Sequence, residues 1–272
     1  MKKLLFIVPM VLVALFITSC TPDEASTPDK LAVGVVSESN ASLVIKFSGS
    51  KCPPCGTWGW TFMSDLIAGV NAEDGVMTVY GDNFVADLFV IPEATTLQNA
   101  WGAAGYPHFG ANGSVTSVAR TSGVNTAAEK QEIFDRVNDH KSASVMANTG
   151  LKYEIVDGKI NMKYKTKAFS EMNGENYLAV YVVEHKVVGA QSGHSETPNT
   201  EHKHILRKEV SGNGYGVSIG SMSANQEVSG ESTVEMGSGW NADNIEIITA
   251  LYTKDGSSYK FVNSSRGELV KE

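Results

Sequence analysis

The feature that most constrains this chain is the tetrapeptide Cys52-Pro53-Pro54-Cys55, which directly follows the strand-like run of residues 42–47. A disulfide that closes so short a loop removes little chain entropy, worth roughly 2 kcal/mol against roughly 3 kcal/mol for a fifteen-residue loop. A CxxC pair placed where a strand ends and a helix begins is instead typical of redox chemistry, because the helix N-terminus activates the first thiol.

The N-terminus has the pattern of a lipoprotein signal. Two lysines at residues 2–3 precede an apolar run over residues 4–16, which is of signal-peptide length and too short for a membrane span. Residues 17–20 (Ile-Thr-Ser-Cys) then have the pattern of a lipobox, so residues 1–19 are predicted to be removed. An ordinary cleaved signal or a lone anchor helix is the alternative.

The lipobox predicts that Cys20 carries acyl chains and becomes the mature N-terminus, which leaves one thiol pair for disulfide chemistry. Residues 20–30 are rich in Pro, Thr, Ser and acidic residues and are predicted to form a flexible tether. The residue after Cys20 is not Asp, which favours the outer membrane. Asp23 and Glu24 resemble a surface-display signal, so both the periplasmic and the cell-surface face stay open. Either location is an oxidising compartment.

The charge and size of the chain limit its partners and domain number. The formal net charge is −8, and removal of the two signal lysines makes it −10. An acidic chain without a basic cluster is not expected to bind nucleic acid. With 42% apolar residues, the mature chain can bury a sizeable core as one domain or two.

Residues 31–142 have the pattern of a mixed α/β segment. After the cysteines, the predicted elements are a helix at residues 58–67, a strand at 76–80, a helix at 92–104, a hairpin turn at Asn112-Gly113 and a helix from Thr126. On the second of these helices, we expect Leu97, Ala100 and Trp101 to share the buried face.

Residues 143–272 change to short alternating strands. The clearest hairpin surrounds the turn at Asp157-Gly158, residues 177–183 form an apolar central strand, and a second turn is predicted at residues 255–256. Turn signals that recur between short strands favour an immunoglobulin-like β-sandwich. We therefore predict two domains, at residues 31–142 and 143–272.

The order of elements in the first segment is that of a thioredoxin fold: strand, CxxC, helix, strand, then an isolated X-Pro before a hairpin and a final helix. In that fold the proline is cis and lies against the disulfide, where it shapes the docking surface for a substrate peptide. Pro107 is the candidate, and Tyr106 and His108 flank it. A trans proline in a loop is the alternative.

The local sequence also resembles a narrower family, the outer membrane protein 28 family of envelope lipoproteins. The segments that carry the resemblance are residues 47–55 (FSGSKCPPC), Tyr106-Pro107, residues 181–184 (YVVE), Gln191 and residues 202–207 (HKHILR). The resemblance implies a thioredoxin-like domain followed by a β-sandwich, at the outer membrane. It implies a location more than an activity.

If the pair is catalytic, Cys52 is expected to be the attacking thiol and Cys55 the resolving one. Pro53 and Pro54 have no N–H to stabilise a Cys52 thiolate, whereas Lys51 and the helix dipole favour it. This balance predicts a reductase or isomerase rather than a strong oxidant. The partners would be exported proteins that carry thiols or disulfides.

Two competing interpretations remain open. The disulfide could be purely structural, in a surface binding or adhesion protein that retains a thioredoxin scaffold. Trp58 and Trp60 could contact substrate beside the site, together with Tyr106 and Pro107, or could pack into the core.

No cofactor or metal is expected. A structural zinc site needs four ligands, and the chain has no second cysteine pair. His202 and His204 would share a strand face if extended, near His194 in sequence, but exposed strand histidines without a metal are much commoner.

Overall fold

The computed structural model describes residues 29–81, 89–117 and 126–271. The predicted signal, Cys20 and nearly all of the tether lie outside these residues, so their predicted roles are untested. Among the helices of the described ranges, none is both long and apolar enough to span a bilayer.

The described residues of the first half form four strands and four helices. In chain order these are β1 (Leu43–Ser48), α1 (Pro53–Gly56), α2 (Trp58–Gly69), β2 (Gly75–Tyr80), α3 (Ala94–Trp101), β3 (His108–Ala111), β4 (Ser114–Val115) and α4 (Thr126–Ser142). β1, α2, β2, α3 and α4 match predicted segments, and β3 and β4 form the hairpin predicted around Asn112-Gly113. The short helix α1 was not predicted as an element of its own. On α3, Leu97 and Trp101 are buried as predicted, whereas Ala100 is exposed, because α3 completes its buried face with Ala94 and Gln98.

The regular elements of the second half of the described chain are strands, apart from one turn of 3-10 helix at Ala242–Asn244. The strands are β5 (Ala147–Val156), β6 (Lys159–Ala168), β7 (Met172–Glu184), β8 (Val187–Gly189), β9 (Thr200–His202), β10 (Ile205–Glu209), β11 (Val217–Met222), β12 (Glu227–Glu235), β13 (Ile245–Asp255), β14 (Ser258–Arg266) and β15 (Glu268–Leu269). The predicted hairpin of β5 and β6 is confirmed, and Asp157 and Gly158 take the positive φ angles of 50° and 73° that its turn requires.

One nine-stranded sheet runs through both halves of the chain. Its order is β14-β13-β7-β10-β2-β1-β3-β4, and β11 pairs with β7 beside this path. β1 lies parallel to β2 and antiparallel to β3. β10 joins the halves, since it lies parallel to β2 at Ile205 and Thr78 and antiparallel to β7. A second sheet, β12-β6-β5-β15, packs against the part of the nine-stranded sheet that contains β7 and β13.

The hydrophobic core also crosses from one half to the other. One cluster packs Leu43, Phe47 and Leu97 together with Tyr181 and Tyr252. A second cluster lies between the two sheets of the β-rich half, and a third packs α2 and α4 against β1 and β3. The predicted boundary at residues 142–143 falls between α4 and β5, but the sheet and the first cluster continue across it. The division into two domains stays a prediction.

A buried ion pair lies where β10, β7 and β13 meet. Arg207 Nε donates to Glu184 Oε2 at 2.7 Å, and the Asn241 backbone N–H donates to Glu184 Oε1 at 2.8 Å. The Glu184 side chain is only 2% exposed. Its charge is therefore balanced mainly by Arg207.

We expect Arg207→Met to lower the free energy of unfolding by about 3 kcal/mol, because it leaves the Glu184 carboxylate buried without its counter-ion. The exposed pair of Lys260 and Asp255 provides a control, and Lys260→Met should cost less than about 1 kcal/mol. Urea titration of both variants measures the difference. Equal effects would contradict a specific role for the buried pair.

Candidate functional site

The two cysteines form a disulfide at the start of α1. The sulfur atoms lie 2.22 Å apart and the Cα atoms 5.3 Å apart. Cys52 is the N-cap residue, and its sulfur accepts a hydrogen bond from the Cys55 N–H at 3.2 Å. Pro53 and Pro54 occupy the first two helical positions, where a missing N–H breaks no bond of the helix. The sequence thus forms the predicted strand–CxxC–helix unit.

The disulfide is inaccessible, contrary to the expectation of an attacking Cys52. Cys52 is 1% exposed and Cys55 is fully buried. Residues from the β-rich half, in the connection between β8 and β9, pack on the CxxC turn. We call residues 190–199 the cover segment.

The cover segment binds the backbone of the CxxC turn directly. The Gln191 side-chain amide donates to the carbonyl oxygens of Gly49, at 3.2 Å, and of Cys52, at 3.1 Å. The Ser192 N–H donates to the Ser50 carbonyl oxygen at 2.8 Å. Gln191 is itself fully buried. These bonds hold the cover segment to residues 49–52.

Two glycines make this close approach possible. A Cβ atom at Gly56 would lie 2.2 Å from the Ser192 carbonyl oxygen, and one at Gly193 would lie 2.4 Å from the Pro53 carbonyl oxygen. Gly193 also adopts a φ of +82°, which favours glycine. Any larger residue at either position would force the cover segment away from α1.

A buried lysine lies directly beneath the disulfide, and sequence reasoning missed it. Lys46 on β1 is 2% exposed, and its Nζ donates to the Cys55 carbonyl oxygen at 3.3 Å. The Nζ atom also lies 5.1 Å from the centre of the Trp60 ring. Burial lowers the pKa of Lys46 to about 7. The available signal was a single charged residue within a strand whose other residues are apolar except for Ser48.

Aromatic and imidazole rings link the cover segment to α2. The Trp60 ring centre lies 4.7 Å from that of His194 and 5.4 Å from that of His202. His202 is fully buried, and its Nδ1 lies 2.5 Å from the Tyr80 hydroxyl oxygen. Trp60 therefore contacts this chain's own residues from the β-rich half.

The predicted common face of His202 and His204 is wrong. β9 ends at His202, and His204 adopts a φ of +53°, so the two residues do not continue one extended strand. His202 turns toward Tyr80, whereas His204 lies near His185 and Glu246.

The predicted proline lies beside the CxxC turn. The Tyr106–Pro107 bond is cis, as predicted. A Cβ atom at Gly59 would lie 2.7 Å from Pro107 Cγ and 3.1 Å from the Pro54 carbonyl oxygen, so Pro107 packs on the first turn of α2. The Tyr106 hydroxyl donates to Gln98 Oε1. Substrate contact by Tyr106 and Pro107 stays a prediction.

Trp58 packs inward, the alternative that the sequence also allowed. Its ring centre lies 6.3 Å from that of Phe62 and 6.1 Å from that of Phe109. Both phenylalanines belong to the core between the helices and β1. This packing argues against the prediction that Trp58 contacts substrate.

Comparison with known proteins yields a similarity of fold. No family model matches the chain, and no curated protein matches its sequence. HBP35 of Porphyromonas gingivalis aligns over 86% of this chain and 76% of its own, with a TM-score of 0.67 and 14% sequence identity. The two share a fold. A domain of the outer membrane lipoprotein Omp28 from the same organism aligns over 46% of this chain and 88% of its own, at a TM-score of 0.31 and 19% identity, too low to support an argument.

Proposed function

We propose that this protein is a lipid-anchored envelope protein of the binding class, built on a thioredoxin-like scaffold whose Cys52–Cys55 disulfide is structural. The observation that carries the proposal is the burial of both cysteines beneath the cover segment. Thiol–disulfide exchange requires a thiolate to approach a disulfide sulfur. Both cysteines are buried in this structure, and the cover segment packs on the turn that carries them.

The topology supports the thioredoxin-like part of this proposal. The strand order β2-β1-β3-β4, with CxxC at the start of the helix after β1, is that of the thioredoxin fold. β10 adds a strand on the free side of β2. The facing sheets of residues 147–269 support an immunoglobulin-like sandwich as the second part. Anchoring through acylated Cys20 at the outer membrane rests on the lipobox.

Thiol–disulfide exchange on exported proteins is the second candidate, after displacement of the cover segment. The hydrogen bond from the Cys55 N–H to the Cys52 sulfur favours it, because this bond would stabilise a Cys52 thiolate. The missing N–H groups of Pro53 and Pro54 still predict a reducing or isomerising couple.

The rate of disulfide reduction separates the two candidates. We expect dithiothreitol to reduce the wild-type disulfide slowly. Gly56→Ala should accelerate reduction about tenfold, because lowering the free energy of local opening by about 1.4 kcal/mol makes the open state ten times more populated. Gly34→Ala is the matched control, because a Cβ atom there meets nothing within 4 Å. Thiol alkylation followed by mass spectrometry measures the rates.

Fast reduction of the wild-type protein, equal to that of Gly56→Ala, would refute protection by the cover segment. In that case Cys55→Ala should trap mixed disulfides with exported proteins through Cys52. Trapped partners would establish the exchange function in place of the binding function.

A further inference from the structure

Three potential metal ligands converge at one end of the nine-stranded sheet. His185 directly follows β7, His204 directly precedes β10, and Glu246 is the second residue of β13. These strands are neighbours, and Glu184 at the end of β7 pairs with the first residue of each of the other two. The ligand atoms of the three side chains all lie within 4.8 Å of one another.

One carboxylate oxygen of Glu246 faces both imidazole rings. Glu246 Oε2 lies 3.1 Å from His185 Nε2 and 3.8 Å from His204 Nδ1. The other oxygen, Oε1, is held by Arg266 Nη1 at 2.9 Å. Arg266 therefore fixes the orientation of the carboxylate and leaves Oε2 directed at the histidines, as second-shell residues do in metal sites.

The facing atoms are buried and lack hydrogen-bond partners. His204 Nδ1 and Glu246 Oε2 both fail to form a hydrogen bond, although their side chains are only 10% and 8% exposed. The 3.1 Å contact from His185 is thus misaligned for a hydrogen bond. Native proteins rarely bury polar atoms without partners, and a bound ion is one standard explanation.

The surroundings hold the ligands in place and leave an entry route. The His204 backbone N–H donates to the His185 carbonyl oxygen at 3.3 Å, and the Thr78 N–H donates to the His204 carbonyl oxygen at 2.6 Å. The His185 side chain is 35% exposed, so an ion can reach the site from solvent past this ring.

We propose that His185, His204 and Glu246 bind a divalent transition-metal ion, Zn²⁺ in the first instance. Two imidazole nitrogens and one carboxylate oxygen suit Zn²⁺ and leave a fourth position open for water or another ligand. In a tetrahedral zinc site the ligand atoms are about 3.3 Å apart, so binding requires no pair to close by more than about 1.5 Å. The site is separate from the disulfide and independent of the proposed function.

Isothermal titration of the metal-free full-length protein with ZnCl₂ alone tests the proposal. We expect one Zn²⁺ per chain. His185→Asn and Glu246→Gln should each weaken binding at least 10-fold, because mutation of residues that only hold the ligands in place already costs about 10-fold to 100-fold in metal affinity. His194→Gln, a histidine of the cover segment outside the cluster, should bind like the wild type. Co²⁺ should give the visible absorption of a four-coordinate site in the wild-type protein and in His194→Gln, but not in His185→Asn or Glu246→Gln.

Circular dichroism of each variant checks that it is folded. His185 is the most exposed of the three ligands, so its replacement should disturb the packing of the protein least. Stoichiometric binding that His185→Asn and Glu246→Gln leave unchanged would overturn the proposal. Absence of one-to-one binding in the wild-type protein would overturn it as well.

Discussion

Replacing Lys46 by Met is expected to raise the free energy of unfolding of the oxidised protein at pH 7 by up to about 4 kcal/mol. The Lys46 ammonium group is buried beneath the disulfide, and burial lowers its pKa from 10.5 to about 7. The folded state therefore disfavours the proton that the unfolded chain binds readily. Methionine has a similar length and carries no charge to desolvate.

The same substitution should remove a pH dependence of stability. Between pH 7 and pH 10.5 the unfolded chain binds more protons at Lys46 than the folded protein does, so stability rises with pH. The expected gain is about 2 kcal/mol from pH 7 to pH 9. Below about pH 6 Lys46 is protonated in both states and this contribution is constant.

Urea titrations at pH 7, 8 and 9 measure both effects. Lys208→Met, on the exposed side of β10, is the control and should retain the wild-type slope. A wild-type stability that does not change over this range, or a Lys46→Met variant less stable than the wild type at pH 7, would show that Lys46 is well accommodated as a cation.

The second large effect is expected from dividing the chain. We expect residues 29–142 and residues 143–272, produced separately, to be largely unfolded. The first segment would lose the strand that pairs with β2, and Tyr181 and Tyr252 would lose part of their shared core with Leu43 and Phe47. The change of sequence pattern near residue 142 predicted the opposite result, with each half folded on its own.

Circular dichroism and proton–nitrogen correlation spectra test this expectation. The chain of residues 29–272 is the control, because it lacks only residues 1–28, and it should fold. Mixing the two halves should restore dispersed spectra if the shared sheet drives their association. Well-dispersed spectra from each half alone would establish two independent domains.

Local features of the fold could be predicted from the sequence because their signals are local. The turns at Asp157-Gly158 and Asn112-Gly113 require positive φ angles, and these residue types supply them. The face of α3 followed from the spacing of Leu97 and Trp101. The end of β1 just before the CxxC motif could be predicted from where the apolar run of residues 42–47 ends.

The contacts that decide accessibility could not be predicted, because they join distant parts of the chain. Gln191 contacts Cys52 across 139 positions, and no periodicity records such a pairing. The pairing of β10 with β2 could not be predicted either, because the sequence of a short strand does not specify which strand it will pair with. Lys46 is the exception among the features that were missed, because a lysine in the middle of an apolar strand could have been predicted to be buried.

The placement of Gln191 so late in the chain gives the formation of the disulfide a time order. If the protein is exported as proposed, its N-terminus leads, and Cys52 and Cys55 emerge long before the residues that enclose them. An oxidising enzyme then has access to both thiols until residues 190–199 fold over them. A cysteine pair still reduced when residues 190–199 arrive would be enclosed as thiols, so the speed of export relative to oxidation determines which redox form of the protein accumulates.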